Sequence, residues 1–434
     1  MDNPRELALK SLVKMDSQGS FSNLEINTVI SRAELDKSDV SLFTILYMGV
    51  IENRLYLDYI ISQYSNIPIE KIDTEALNVL RLGIFQLTKL DRIPDYSAVD
   101  ESVKLSNKRS KGFVNAILRS FLRNNKSVNL PKDKWERISI EHSIPMDIIG
   151  IYRSSYGDET ADAICTYSKK SSASLSLRVN TLVKNGDEIC QLLHEKGIEA
   201  HLSEIASDIV ICTAPISEVK ELIDNGYVFI QDESSRIASM VVDGKKGHRV
   251  ADVCACPGGK TFSISIDMEN CGVVKASDLH KSKLSLITKG AKRLGINIID
   301  TREQNAKEYL EEYDSYFDKV LCDVPCSGLG VIFKKPDIKY KPIEGIKGLP
   351  RVQYDILQNC SRYVKVGGEL IYSTCTLNKE ENEENVRKFL LENECFVPLD
   401  FEIGSIKSQG GVYTFLPHIT ETDGFFIAKM KRIK

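Results

Sequence analysis

The sequence predicts a multidomain protein with an all-α bundle, a small α+β module and an α/β domain built on a doubly wound sheet. Its 434 residues exceed the size of one ordinary domain. Apolar residues recur at helical spacing up to about residue 128, whereas strands alternate with helices from about residue 236 onwards. We therefore expect domains over residues 1–128, 129–235 and 236–434.

The first domain has the apolar spacing of a helical bundle. Apolar side chains recur at i, i+3, i+4 and i+7 in residues 57–64 and again in residues 114–121, which places each set on one helix face. The turns are polar or contain proline, as at Pro94. A polar stretch over residues 124–131 marks the end of the bundle.

The second domain combines helices with short strands. Helical spacing from Trp135 to Tyr156 gives way to Leu175–Asn180, where apolar and polar side chains alternate as in a half-buried strand. A helix over Asp187–Lys196 and a strand over Ile209–Cys212 follow. This order predicts a small α+β module.

The third domain repeats a strand, a turn and a helix. We predict strands at Arg249–Cys254, Gly272–Asp278, Asp318–Asp323 and Gly368–Ser373. Strands that alternate with helices form right-handed crossovers and a parallel, doubly wound sheet. Ligands of such sheets bind beyond the carboxyl ends of the strands, so the residues that follow these strands are the candidate site.

Basic residues are clustered although the formal net charge is −4. Ten Lys and Arg residues but only two acidic ones lie between Ser102 and Arg137. Six more basic residues, Lys339 among them, lie between Lys334 and Arg351. Such patches suit local phosphate binding, and the alternative is that they only solvate helix faces.

The eleven cysteines are best explained as reduced thiols. No apolar segment typical of an export signal follows the first residues, and no apolar run approaches the roughly 20 residues that span a bilayer. We expect a cytoplasmic protein without a membrane partner. A zinc site is an alternative, with the four ligands Cys254, Cys256, Cys322 and Cys326. Two of these cysteines fall within predicted strands, so we expect no metal site.

A Gly-rich turn, Cys254–Thr261, follows the first strand of the α/β domain. Paired glycines let the backbone approach a ligand and open a helix N-terminus, which attracts anionic groups. Asp278 ends the second strand, where an acid can bind the hydroxyls of a ribose. Each feature has an ordinary alternative, a tight turn and a helix N-cap. Together they favour a nucleoside cofactor.

Two cysteines follow the other predicted strands, Cys326 after Asp323-Val324-Pro325 and Cys375 after Ser373-Thr374. A nucleophilic thiol must be partly exposed in a setting that favours the thiolate, which strand-end loops provide and strand interiors do not. A buried, unreactive thiol is the alternative for either cysteine taken alone. Cys326 and Cys375 are therefore candidates for catalysis, whereas Cys254 and Cys322 are not.

Three of these stretches, Val250–Thr261, Asp323–Gly330 and Tyr372–Thr376, resemble the signatures of the Sun family of RNA 5-methylcytosine methyltransferases. The pair of Pro-Cys and Thr-Cys motifs is specific to that family among Rossmann-like methyltransferases. Further matches are Gly112–Arg119, Arg178–Thr181, Gln231–Ser235 and Asp423–Phe426. The helical domain is similar to NusB-type RNA-binding domains, and the resemblance covers nearly the whole chain.

The resemblance implies a class I methyltransferase domain behind a NusB-like bundle and an RRM-like module, with S-adenosylmethionine as cofactor. It implies Cys375 as nucleophile, Cys326 as the residue that assists product release and Asp323 as the acid facing the cytosine. The implied cofactor-binding residues are Cys254, Ala255, Cys256, Pro257, Gly258, Gly259, Lys260, Asp278, Asn305 and Asp323. The sequence departs from the family pattern at Cys256, where Ala is usual, and at Asn305, where Asp is usual.

The implied reaction methylates carbon 5 of a cytosine through an adduct between Cys375 and carbon 6. Members with a NusB-like domain act on bacterial 16S rRNA, so we expect cytosine 967 of free or partly assembled small-subunit RNA as target, and a monomeric enzyme. A tRNA or another rRNA cytosine is the alternative within the family.

Two other functions compete with this one. An amino-group methyltransferase would share the cofactor but usually has Asp/Asn-Pro-Pro-Tyr/Phe where this chain has Asp323–Cys326. A NusB-like RNA-binding or antitermination protein could carry a silent methyltransferase domain. The domain is expected to be active, because the sequence has all four candidate site residues: Asp278, Asp323, Cys326 and Cys375.

Overall fold

The computed structural model describes residues 2–18, 22–167 and 174–434. The chain forms two compact units, one of Met1–Thr166 with Val331–Lys341 and the other of Tyr167–Gly330 with Pro342–Lys434. Among the helices within these described ranges, none is long and apolar enough to cross a membrane.

The first unit is helical, as predicted for residues 1–128, and it continues to Thr166. Its helices are α1 (Pro4–Gln18), α2 (Ser22–Arg32), α3 (Lys37–Glu52), α4 (Arg54–Tyr64), α5 (Thr74–Lys89), α6 (Asp95–Leu105), α7 (Lys111–Arg123), α8 (Lys134–Glu141) and α9 (Met146–Thr166). The apolar residues predicted to share a face in 114–121 are all buried, and those of 57–64 pack into the same core. The centre of this core is α5, whose N-terminus is capped by the Asp73 side chain, which accepts from Ala76 N.

Residues 331–341 belong to the helical unit although they follow the third predicted strand of the α/β domain. Lys339 is only 3% exposed, and its Nζ donates to Glu52 O at 2.8 Å, at the C-terminus of α3. Burial lowers the pKa of Lys339 to about 8. Because this ammonium group caps a helix, the prediction that Lys339 forms part of a phosphate-binding patch is wrong.

The second unit begins with the predicted α+β module. Its elements are β1 (Leu175–Val179), α10 (Gly186–Glu195), β2 (Ala200–Leu202), β3 (Ile209–Cys212), α11 (Ile216–Asp224) and β4 (Val228–Ile230). The strands pair antiparallel in the order β2-β3-β1-β4. The sequence predicted β1, α10 and β3 but not the two three-residue strands, which are too short to show alternation.

The α/β domain contains the main sheet. Its elements are α12 (Glu233–Val242), β5 (Arg249–Asp252), α13 (Gly259–Asp267), β6 (Val273–Asp278), α14 (Lys281–Leu294), β7 (Ile299–Glu303), β8 (Phe317–Asp323), α15 (Glu344–Lys347), α16 (Leu349–Ser361), β9 (Val364–Thr374), α17 (Glu383–Glu392), β10 (Phe396–Pro398), β11 (Glu402–Ile403), β12 (Ile406–Lys407), β13 (Val412–Phe415), α18 (Pro417–Thr420) and β14 (Phe425–Arg432). The sheet order is β10-β14-β9-β8-β5-β6-β7, with β13 beside β14.

Strands β5 to β9 are parallel, which confirms the predicted doubly wound sheet. Strand β14 pairs antiparallel with β9 and extends the sheet at that side, an addition that the sequence did not predict. Predicted strand boundaries also shift: β9 begins four residues early, at Val364, and β5 ends at Asp252, so Cys254 lies in the following turn rather than in the strand. The chain turns early because Thr261 Oγ1, on α13, donates to Asp252 Oδ2 at 2.7 Å and ties the strand end to the helix.

Candidate active site

The carboxyl ends of β9, β8, β5 and β6 are neighbours along one edge of the sheet. This order brings together the turn 254–260 after β5, Asp278 at the end of β6, Asp323 at the end of β8 and Cys375 directly after β9. The residues singled out from the sequence therefore share one edge, where doubly wound sheets bind their ligands.

The turn between β5 and α13 depends on glycine. Gly258 has φ +113°, and a Cβ there would lie 2.6 Å from the Phe262 ring, so a larger residue would displace the ring. The turn opens the N-terminus of α13, whose backbone N–H groups attract a carboxylate. Cys256 N donates to Asp278 Oδ2 at 3.3 Å and so fixes the turn to the end of β6.

Asp278 has the position expected of a ribose-binding acid. Its other carboxylate oxygen, Oδ1, accepts from His280 N at 3.0 Å, so the backbone on both sides orients the side chain. Each carboxylate oxygen can accept a second hydrogen bond, which leaves capacity for ligand hydroxyls. Asn305 lies after β7, where Lys307 N donates to its Oδ1 at 3.2 Å and its Nδ2 donates to Glu308 Oε1 at 2.9 Å. Contact of Asn305 with an adenosine stays a prediction.

Asp252 is a buried acid that sequence reasoning missed. Its Oδ2 accepts the Thr261 bond, and its Oδ1 has no hydrogen-bond partner among the described residues. Burial raises the pKa of Asp252 to about 7. Its position at the end of the buried strand before the Gly-rich turn was the signal that could have revealed it.

Lys260 and Asp323 form an ion pair at the centre of the site. Lys260 Nζ lies 2.8 Å from Asp323 Oδ2, and Ser373 Oγ donates to Asp323 Oδ1 at 2.7 Å. Burial disfavours the Lys260 ammonium group, but the ion pair with Asp323 outweighs burial and raises the pKa of Lys260. The ring of Phe425 lies 5.2 Å from Nζ. The structure thus directs Lys260, predicted as a cofactor-binding residue, toward the predicted catalytic acid.

The two candidate cysteines are in contact. Cys326 Sγ lies 3.3 Å from Cys375 Sγ, and both residues are partly exposed. The hydrogen bond to Cys375, followed by burial, raises the pKa of Cys326 well above its usual range. By contrast, Cys322 is buried in β8, and burial is the largest cause of the raised pKa of Cys254. The raised pKa favours the thiol form of Cys326, and either sulfur atom can donate in the contact.

Close backbone contacts fix the two cysteine loops. Gly330 N donates to Cys375 O at 3.0 Å, and Gly424 N donates to Gly330 O at 2.9 Å. A Cβ on Gly330 would lie 2.0 Å from Gly424 O, so this approach requires glycine. Ser327 Oγ lies 2.6 Å from Thr376 Oγ1, which joins the residues that follow each cysteine. In the described part of the chain, no group of three or more His, Cys, Asp or Glu side chains could hold a metal ion.

Known proteins with similar sequences establish the family. A Bacillus subtilis (strain 168) protein described as a probable ribosomal RNA small subunit methyltransferase B is 36% identical over 442 residues, covering 99% of this chain and 98% of that protein. The family model described as 16S rRNA methyltransferase RsmB/F matches residues 239–431. The chain belongs to the RsmB/F family of 16S rRNA methyltransferases. It is accordingly an S-adenosylmethionine-dependent rRNA methyltransferase.

The other comparisons agree with this RsmB/F assignment. The NusB family model matches residues 2–123, which confirms the NusB-like bundle, and a ferredoxin-like domain model of RsmF/B-like methyltransferases matches residues 145–218. The crystal structure of PH0851 superposes with a TM-score of 0.82 at 25% identity and covers 100% of this chain and 99% of that one. A methyltransferase homolog protein from Pyrococcus horikoshii has a TM-score of 0.59 at 28% identity, with coverages of 68% and 97%.

The site of this RsmB/F member fits the cofactor of the family. The backbone of residues 254–260 and the α13 N-terminus suit the carboxylate of the methionine part, and Asp278 suits the ribose. Asp323 and the two cysteines lie beyond these groups along the same edge of the sheet. The geometry thus separates residues that can hold the cofactor from residues that can act on a second substrate.

The helical unit presents a cationic face on and before α7. Five of the ten basic residues between Ser102 and Arg137 are exposed there: Lys108, Arg109, Lys111, Arg119 and Arg123. Four others form ion pairs with acidic neighbours: Lys104, Lys126, Lys134 and Arg137. The basic stretch is thus divided between a cationic surface and locally neutralised charges.

Proposed function

We propose that this enzyme methylates carbon 5 of a cytosine in 16S rRNA through a covalent adduct between Cys375 and carbon 6. The observation that supports this proposal best is the contact between the Cys326 and Cys375 sulfur atoms, which lie 3.3 Å apart beyond the ends of neighbouring strands. Carbon 5 of cytosine is a weak nucleophile, and addition of a thiolate at carbon 6 converts it into the nucleophilic carbon of an enamine.

The first step is attack of the Cys375 thiolate on carbon 6. Negative charge then develops on ring nitrogen 3, and the Lys260–Asp323 pair supplies a proton to it. Ser373, by its hydrogen bond to Asp323 Oδ1, holds the carboxylate in place for this transfer. Bound S-adenosylmethionine supplies the methyl group as the electrophile that carbon 5 attacks.

The release step uses Cys326. Its thiol passes its proton to the departing Cys375 sulfur and takes up the proton from carbon 5. As the bond between Cys375 and carbon 6 breaks, the C5–C6 double bond re-forms. The proton on nitrogen 3 returns to the Lys260–Asp323 pair. Cys375 then releases one proton to solvent, which restores the thiolate that began the reaction. The short distance between the sulfur atoms is what permits this exchange.

The exposed basic face on and before α7 is the proposed contact for the RNA phosphates. The target base must leave its stack to reach a strand-end pocket, which is easiest in a single-stranded loop. By resemblance we propose cytosine 967 of 16S rRNA, methylated by a cytoplasmic monomer. Bisulfite sequencing of rRNA from a deletion strain identifies the position: loss of protection at another cytosine would refute that assignment.

The two cysteines provide the test of the mechanism. Incubation with an rRNA fragment and labelled cofactor, followed by a denaturing gel, should show a slowly migrating adduct for Cys326→Ala and none for Cys375→Ala. Cys375→Ala should also lack methyl transfer. An adduct with Cys375→Ala would reverse the roles, and full activity of that variant would reject covalent catalysis by Cys375.

A further inference from the structure

Glu381 is fully buried although it lies in the charged run Lys379–Glu384. Its carboxylate accepts hydrogen bonds from neutral donors: Oε2 accepts from Ser327 N at 2.9 Å and from Gln353 Nε2 at 2.8 Å. Oε1 accepts from Asn378 Nδ2 at 3.1 Å. Carboxylates are seldom buried completely, and this one is held by hydrogen bonds to uncharged groups.

These bonds connect the loops of the two cysteines. Ser327 directly follows Cys326, and Asn378 lies three residues after Cys375. Gln353 Nε2 also donates to Pro325 O at 3.0 Å, so the backbone is fastened on both sides of Cys326. The carboxylate of Glu381 thus holds the Cys326 loop against the loop that follows Cys375.

We propose that Glu381 is a positioning residue for the release step, because its carboxylate holds the Cys326 loop at the distance from Cys375 that proton exchange requires. This inference rests on the proposed function, since release of a covalent adduct is a step of that mechanism. Glu381 acts on Cys326 through the hydrogen bonds that its carboxylate accepts from the Ser327 amide and Gln353.

The charge of Glu381 has a second effect on the same thiol. After the hydrogen bond to Cys375, burial and the electrostatic interaction with Cys375, the negative charge of Glu381 contributes to the raised pKa of Cys326. Glu381 therefore favours the protonated form of Cys326, which is the form that can give a proton to the departing sulfur. The position of the Cys326 loop and the charge of Glu381 therefore both affect the release step.

The test compares Glu381→Gln with Glu384→Gln, a matched change at an exposed residue of the same run. In single-turnover reactions with labelled cofactor and an rRNA fragment, Glu381→Gln should still methylate, but the adduct should persist. We expect release to slow by about tenfold or more, the effect of losing a charge-assisted hydrogen bond. Glu384→Gln should release at the wild-type rate. A wild-type release rate in Glu381→Gln would refute the inference.

Cys326→Ala, run on the same gel, distinguishes failure of the proposed function from failure of the Glu381 role. If it forms no adduct, the proposed function fails whatever Glu381 does. If it forms one and Glu381→Gln does not, only the role of Glu381 fails. Thermal unfolding and cofactor binding of each variant verify the fold. Gln353→Ala, which removes one of the bonds that the Glu381 carboxylate accepts, replaces Glu381→Gln in the gel test if the latter is unfolded.

A readout without RNA tests the charge effect. Alkylation of Cys326 by iodoacetamide, followed by mass spectrometry across pH, should begin at lower pH in Glu381→Gln than in the wild type. Glu381→Asp keeps the charge and should restore most of the wild-type profile. Rescue by Glu381→Asp distinguishes the effect of the charge from that of a loosened loop, and an unchanged midpoint in folded Glu381→Gln contradicts the inference.

Discussion

Replacement of Asp278 by alanine should weaken S-adenosylmethionine binding while leaving the sheet intact. One carboxylate oxygen accepts a 3.3 Å bond from Cys256 N and the other a 3.0 Å bond from His280 N, so each can accept one further bond from a ribose hydroxyl. Loss of a hydrogen bond to a charged group corresponds to about 1.5–3 kcal/mol, or roughly 10- to 150-fold in Kd. Loss of the long hydrogen bond from Cys256 N contributes little to this change in Kd.

Titration calorimetry measures the effect directly. Asp300→Ala on β7 is the matched control, because it removes an exposed acid that pairs with Lys275, and exposed ion pairs contribute about 0–1 kcal/mol. The control should bind the cofactor with wild-type affinity. Unchanged affinity in Asp278→Ala, or an equal loss in Asp300→Ala, would refute the ribose-binding role.

Two further changes test the buried acid and the basic face. The pKa of Asp252 is raised to about 7, so the folded state binds more protons than the unfolded state between about pH 4 and 7, and stability should fall as pH rises through this range. Asp252→Asn should remove that slope in urea unfolding, and an identical slope would contradict the assignment. Replacing Arg119 and Arg123 by glutamine should weaken RNA binding and reduce the log–log salt slope by roughly 0.7–0.9 per lost phosphate contact. Binding assays that show an unchanged slope would exclude both residues.

Periodicity predicted those parts of the fold in which local pattern and burial agree. The helical spacing of residues 114–121 corresponds to one buried face of α7, and the ends of β6 and β8 fall at Asp278 and Asp323 as predicted. The sequence did not predict the place of strand β14 in the sheet. An antiparallel strand that follows the last crossover has no residue pattern that identifies the strand with which it pairs. Its pairing with β9 becomes apparent only from the register of the two strands.

The site also has features that the sequence predicts and features that only the fold reveals. Cys326 and Cys375 could be found from the sequence because strand ends converge, but their contact could not. Lys339 and Glu381 look like solvated charges in the sequence, and both are buried by partners far away along the chain. The partner of Lys339 is 287 residues away, and one partner of Glu381, Ser327, is 54 residues away. Such long-range contacts depend on the completed fold.

The most direct test of covalent catalysis is mass spectrometry of the adduct that Cys326→Ala accumulates. After nuclease and protease digestion, a peptide linked to a methylated cytidine should contain Cys375. The same digestion of Cys375→Ala should yield no linked peptide. A cytidine attached to any other residue, or release of 5-methylcytosine by Cys375→Ala, would contradict the proposed mechanism.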